Sequence, residues 1–194
     1  MEHNVTPMSN IPVLQNNRLI LRPVTMQDAP AIQKYFNNFE IIKYIGNHVP
    51  WPYPDNGAKE FLSYMFERMN NEEIYLWAIT LKEHGDEAIG VIEYRFTDKE
   101  DDNRGFWLAQ PFWGKGIMSD TLKLTQEHVF NALGKDYILD GHAPSNKGSR
   151  RVKEKNGSFY IHQKDMVFLT GEMTGEVWKV TPESWATARN HATT

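Results

Sequence analysis

The fold class this sequence predicts is a mixed α/β domain: a largely antiparallel central sheet of about seven strands with helices on both faces. Three observations predict it. Strand-like segments Tyr75 to Lys82, Ala88 to Phe96 and Arg104 to Ala109 are separated only by the turns His84-Gly85-Asp86 and Asp98 to Asn103, which makes an antiparallel meander. Met118, Leu122, Val129 and Leu133 then recur at helical spacing before a further strand, Tyr137 to Ala143, so a helix crosses between two strands. Between the meander and that helix, Phe106 to Asp120 runs from an extended apolar stretch through two glycines one residue apart, Gly114 and Gly116, directly into the helix.

The remaining elements follow in order. Residues 1–16 read as a loose polar arm and 17–190 as one domain. Arg18 to Arg22 alternates polar and apolar before Pro23 and reads as the first strand. Thr25 or Asp28 caps a helix through about Asn37, and a short helical piece covers Ile41 to Ile45. Pro50, Pro52 and Pro54 forbid helix around Trp51 and Tyr53 and favour an extended loop. A helix from Gly57 to Met69 follows, with Phe61, Leu62, Met65 and Phe66 on one side. Asn146 to Lys155 is a short polar helix stopped by Asn156-Gly157. Phe159 to Leu169 and Glu176 to Thr181 close the sheet, and a last helix starts near Pro182.

Composition narrows the function. With 194 residues, 40% hydrophobic and 24% charged, the chain has the profile of a soluble globular domain, and no apolar run reaches the ~20 residues of a membrane helix. A net charge of −4 argues against broad nucleic-acid binding, although Lys147, Arg150, Arg151, Lys153 and Lys155 form a local basic cluster. The absence of cysteine excludes disulfides, thiolate metal sites and a cysteine nucleophile, and the seven histidines show no ligand-pair spacing, so no metal is expected. The polar N-terminus lacks a signal-peptide core, which makes a cytoplasmic location the default expectation.

The glycine turn carries the chemistry. Gly114 and Gly116 allow a sharp turn and remove side chains that would block a ligand. A helix beginning near Ile117 exposes unpaired N–H groups at its positive end, a site for a phosphate or pyrophosphate. The bland alternative is a tight turn that binds nothing. A kinase-type nucleotide loop fits poorly, because Lys115 is followed by Gly116 rather than by Ser or Thr.

Four segments together resemble the GNAT-type N-acetyltransferases, and within them the Rim-type branch that acetylates protein N-termini: Asn17 to Pro23, Ile89 to Ile92, Trp113 to Met118 and Asn146 to Gly157. The chain departs from the family pattern at Trp113, which is common in the Rim-type branch, and at Met118, which adds bulk beside the turn. It also departs at Lys153 and Asn156, where leucine is usual, and at Ser158, where phenylalanine is usual.

The resemblance implies acetyl transfer from acetyl-CoA to a primary amine by direct attack, with no covalent enzyme intermediate. Amides of Gly114, Lys115, Gly116, Ile117, Met118 and Ser119 would hold the pyrophosphate, Phe106, Trp107 and Leu108 the pantetheine arm, and Asn146 the same arm or a helix cap. Ser149 is the first candidate to protonate the leaving thiolate, with Tyr160 as runner-up. Glu93 and His142 are the candidate bases. The Trp51-Pro52-Tyr53 loop would wall the acceptor side, and the acidic run Asp98, Glu100, Asp101 and Asp102 would either attract a cationic acceptor or form a solvated turn, the second being the favoured reading. A protein or peptide N-terminus is the first acceptor. A small-molecule amine, or a CoA-binding module without turnover, are the alternatives, and the chain is expected as a monomer or homodimer.

Overall fold

The computed structural model describes residues 11–71, 74–97 and 102–191. The strands are β1 (Leu14–Gln15), β2 (Leu19–Pro23), β3 (Ile74–Leu81), β4 (Gly90–Arg95), β5 (Arg104–Leu108), β6 (Ile138–His142), β7 (Phe159–Asp165) and β8 (Thr174–Val180). The helices are α1 (Ala29–Phe36), α2 (Phe39–Ile42), α3 (Gly57–Asn71), α4 (Ile117–Asn131), α5 (Lys147–Lys155) and α6 (Pro182–His191). Two residues of the expected arm, Leu14 and Gln15, form a strand of their own, paired antiparallel with Leu21 and Ile20.

The strands form two sheets, ordered β1-β2-β3-β4-β5 and β6-β8-β7, and every ladder within them is antiparallel. The sequence suggested parallel pairing across α4, between β5 and β6. No such ladder forms among the described residues. Asn103 stitches the two strands at their start: its N–H donates to the Leu139 carbonyl at 2.8 Å, and its side-chain oxygen accepts from the Leu139 N–H at 2.6 Å. Beyond that seam the facing edges of β5 and β6 line an open groove.

β3 is an almost unbroken apolar run because both of its faces are covered. Trp77 and Ile79 pack with Leu19, Leu21, Ile92 and the α4 residues Ile117, Leu122 and Val129. Leu76 and Ala78 pack on the other side with Ile32 and Phe36 of α1 and Leu62, Met65 and Phe66 of α3. Helices therefore flank both faces, as the periodicity predicts. Gly90 is dictated by the neighbouring strand, because a Cβ there would lie 2.5 Å from the Trp107 carbonyl oxygen.

Ahead of α1, Thr25 is the N-cap of a single 3-10 turn, Met26–Asp28, and Asp28 completes a capping box with it, as expected. Its carboxylate accepts from the Thr25 N–H at 2.8 Å and pairs with Arg22 at 2.7 Å. Asp28 and Asp86, through hydrogen bonds above all, raise the Arg22 pKa against the opposing effect of burial. The proline-rich loop after α2 forms no helix, as expected, but it bends at Trp51 and Pro52, joined by a cis peptide bond, instead of running extended, and the buried Tyr53 ring meets Phe36 edge-on at 5.1 Å.

Candidate active site

The groove between β5 and β6 opens toward the N-termini of α4 and α5 and closes at the Asn103 seam. It is lined by Phe106, Trp107 and Leu108 of β5, by Gly114, Gly116, Ile117, Met118 and Ser119 of the turn and α4, and by Asn146 and Ser149 of α5. Gly114 and Gly116 have φ of 75° and 73°, the left-handed region that disfavours side chains. Gly116 is the residue preceding α4, and the first main-chain bond of the helix runs from the Asp120 N–H to the Gly116 carbonyl. The amides before Asp120 therefore lie within the unsatisfied first turn, at the positive end of a 15-residue helix.

Two side chains brace this turn. Arg18, from just before β2, donates to the Lys115 carbonyl at 3.0 Å and pairs with Asp120 at 2.7 Å. Trp113 donates its indole N–H to the Leu108 carbonyl at 2.6 Å, locking the turn onto the end of β5. That bond gives the departure at Trp113 a physical reason. Met118, which looked from sequence as though it would crowd the ligand, is buried with the α4 core residues. A Cβ at Gly116 would combine positive-φ strain with an approach of 3.4 Å to the Arg18 guanidinium. Gly116→Val is therefore expected to weaken CoA binding at least tenfold, measured by titration calorimetry, while the far-UV spectrum is retained.

The α5 end behaves as a cap. Asn146 accepts from the Ser149 N–H at 3.0 Å, so the capping reading of Asn146 holds, and both residues border the groove. Ser145 ties this corner to the β7–β8 connection by donating to Glu172 at 2.5 Å. Of the basic cluster, Lys147, Arg151 and Lys155 face the groove. Arg150 pairs with Glu154 at 3.1 Å and lies over the Trp178 ring.

Lys153 is different from the rest of that cluster and is 1% exposed. Its ammonium pairs with Asp140 at 3.1 Å, donates to the carbonyls of Asp140 and Gly141 at 3.3 and 3.2 Å, and meets His142 Nδ1 at 3.1 Å. Asp140 also pairs with Arg104 of β5 at 2.6 Å. The two cations and the carboxylate thus pin β5, β6 and α5 together behind the seam. Burial above all lowers the Lys153 pKa, opposed by Asp140. Asn156, the other polar substitution, donates to Ser119 and to the Val152 carbonyl, and so links α5 to the first turn of α4.

The candidate bases are placed as follows. His142 is 3% exposed, and burial first, then Lys153, push its pKa down to about 3. With Lys153 donating to Nδ1, the imidazole lone pair is occupied, so the expectation of a free base at His142 is corrected. Glu93 borders the groove opposite Gly105 but is ion-paired with Arg95 two residues along β4. Tyr160 is half exposed on β7 and does not border the groove, which removes it as a proton donor there.

Asp102 departs from the solvated turn favoured for it by the sequence. Residues 98–101 of the acidic run lie outside the described residues, but Asp102 borders the groove at the seam instead of sitting in a solvated turn. The part of the groove away from the glycine turn has walls and a roof. Phe36 meets Trp107 at 5.0 Å, and Val49, Pro50 and Tyr53 border the same space. An isolated bridge between Gly46 and Phe168, with the Asn47 N–H donating to the Val167 carbonyl at 2.9 Å, spans from the α2 loop to the β7–β8 connection.

Among the described residues, no helix is long and apolar enough to cross a membrane, and no group of three or more histidine or acidic side chains is placed to hold a metal ion.

Comparison with known proteins agrees with this geometry. The uncharacterized N-acetyltransferase p20 of Bacillus licheniformis is 26% identical over 142 residues, covering 72% of this chain and 78% of that protein. Mycobacterium smegmatis RimJ, solved with CoA-disulfide, superposes with a TM-score of 0.77 at 18% identity over 93% of both chains. The ribosomal-protein-S5-alanine acetyltransferase of Vibrio fischeri superposes with a TM-score of 0.73 at 19% identity, over 90% of this chain and 98% of that one. The model of the acetyltransferase (GNAT) domain matches residues 18–158, and the chain belongs to the GNAT acetyltransferase family.

Proposed function

We propose that this enzyme binds acetyl-CoA along the β5 edge and transfers its acetyl group to the α-amino group of a protein or peptide. The observation that carries the coenzyme half is the braced glycine turn. Main-chain donors at the start of α4 converge on one corner, Arg18 and Trp113 hold them in place, and the open edge of β5 leads away from them into the groove. A diphosphate with a long extended arm fits that shape, and when bound it presents a thioester as the acyl donor. The β5 edge supplies main-chain donors for the arm and for the thioester oxygen. Lys147, Arg151 and Lys155 provide positive charge beside the phosphate end.

Ser149 is the proposed proton donor to the departing thiolate. It stands on the groove-facing side of α5, one turn from the Asn146 cap, and its hydroxyl is free of the capping bond, which uses its main-chain N–H. Ser149→Ala is expected to lower kcat about 10- to 100-fold with CoA affinity unchanged. Unchanged turnover in a thiol-release assay removes Ser149 from the mechanism.

A terminal amine is favoured as acceptor by the roofed, aromatic-walled space away from the coenzyme end, which suits an extended chain end, and by the similarity to RimJ and the S5-alanine acetyltransferase. The test is thiol release from acetyl-CoA across a panel of N-terminal peptides, polyamines, amino acids and alkylamines. Preference for peptides supports the reading, and turnover confined to the small amines replaces it.

A further inference from the structure

We propose that Asp102 is the group that takes the proton from the acceptor ammonium, so that the neutral amine can attack. This rests on the acetyl-transfer reading above and concerns the acceptor half of the same groove.

The geometry is specific. Asp102 immediately precedes the Asn103 seam, where β5 and β6 are stitched together and the groove ends. The coenzyme corner lies at the other end of β5, beyond Leu108, and the roof formed by Gly46 and Phe168 lies on the acceptor side. Asp102 therefore stands at the blind end of the groove. Its carboxylate reaches across the seam onto β6, where Oδ2 lies 3.4 Å from the place a Cβ would occupy at Gly141 and the Gly141 main chain hydrogen-bonds the carboxyl. Oδ1 is enclosed and accepts no hydrogen bond among the described residues, and the nearest cation, Arg95, is 3.9 Å away.

The surrounding charges come from every element packed against it. β4 supplies Arg95 and Glu93, β5 supplies Arg104, β6 supplies Asp140 and His142, and α5 supplies Lys153. Arg104 and Lys153 are both consumed by Asp140, and Arg95 is shared with Glu93. Asp102 is thus a carboxylate whose one close counter-ion, Arg95, is divided between it, its own main-chain carbonyl and Glu93, in a groove that must receive a cation. Burial, then the like charge of Asp140, push its pKa up to about 6. That makes it a better proton acceptor than an ordinary aspartate, while it remains mostly ionised at neutral pH.

The step balances. The ammonium gives one proton to the Asp102 carboxylate, and the freed nitrogen pair forms the C–N bond as the C–S bond breaks. Asp102 passes that proton to solvent; Ser149 gives its hydroxyl proton to the departing thiolate and is reprotonated by the second amine proton, lost after attack. The net products are amide, free thiol and one released proton.

The test measures kcat/KM against pH for wild type, Asp102→Asn and Asp102→Glu, with alanine- and serine-initiated hexapeptides and n-butylamine as acceptors. Melting temperature and CoA titration are recorded for each protein. In the wild type, kcat/KM is expected to fall on the acid side with a midpoint near 6. Asp102→Asn is expected to lose 100-fold or more and to lose that limb, with CoA affinity within twofold of wild type and a melting temperature at pH 7.5 no lower. Asp102→Glu restores part of the rate. The Asn penalty shrinks for an acceptor amine already neutral at the assay pH. If the wild type transfers acetyl and Asp102→Asn matches its rate and acid limb, Asp102 is not the proton acceptor. If the wild type binds CoA but transfers to none of the probes, the acetyl-transfer reading fails and the assignment falls with it.

Discussion

Replacing Lys153 by leucine is expected to destabilise the protein by about 3 kcal/mol, lowering the melting temperature by roughly 6–12 °C, even though leucine is the residue usual at this place in the family. An apolar side chain ordinarily does well in a buried position. Here it would leave two β6 carbonyls and His142 Nδ1 without their shared donor, and Asp140 with one cation instead of two. Uncompensated buried polar groups cost more than the added apolar contact returns. Scanning calorimetry checks this. A second variant separates charge from shape: changing Lys153, Asp140 and Arg104 together to apolar residues of similar volume is expected to recover part of the loss, because the desolvation cost of all three ions disappears together. A Lys153→Leu protein as stable as wild type would show that the ion cluster does not hold β6.

The same cluster makes an unusual pH dependence the second large expectation. His142 has a folded pKa of about 3, below its ordinary value of 6.5, so the unfolded chain binds the extra proton between those limits, and this group makes stability rise with pH. Asp102 has a folded pKa of about 6, above its ordinary value of 3.8. The folded chain binds the extra proton there, and this group's stabilisation is lost as pH rises through about 6. Between about pH 4 and 6 the two slopes are opposite in sign, so their contributions largely offset in the wild type.

Removing one partner exposes the other. Relative to wild type, Asp102→Asn gains stability with rising pH by about 1.4 kcal/mol per unit across that window, and His142→Gln loses it at the same rate. Differences from wild type isolate these two groups from every other titration the proteins share. Urea unfolding at pH 4, 5, 6 and 7 measures them, and parallel curves for all three proteins would contradict the placement of both groups.

What was legible in the sequence was what is local. Gly114 and Gly116 signal a left-handed turn by themselves, the α4 periodicity signals its buried face, and Asn146 signals a cap because its partner is three residues away. The α-helices and most strands follow from such short-range rules, and the meander follows from short turns. Partners far along the chain left no signal. Arg18 reads as the edge of a strand, and only the fold brings it to Lys115 and Asp120, 97 and 102 positions on. Asn103 and Leu139 close the seam where a parallel ladder was expected, because an asparagine side chain stands in for a strand edge. Lys153 reads as one more cation of a basic cluster on a short polar helix, and Asp102 as the end of an acidic turn. Each takes its meaning from what the other sheet places opposite it.

The central claim is that the start of α4 and the β5 edge hold acetyl-CoA in reacting position, and a crystal structure of the protein grown with acetyl-CoA tests it most directly. The account predicts the diphosphate on the amides of the Gly114–Ser119 turn, the arm along Phe106 to Leu108, and the acetyl group directed toward the Asn103 seam. Coenzyme bound elsewhere on the molecule, or a groove filled by protein alone at saturating acetyl-CoA, would contradict it.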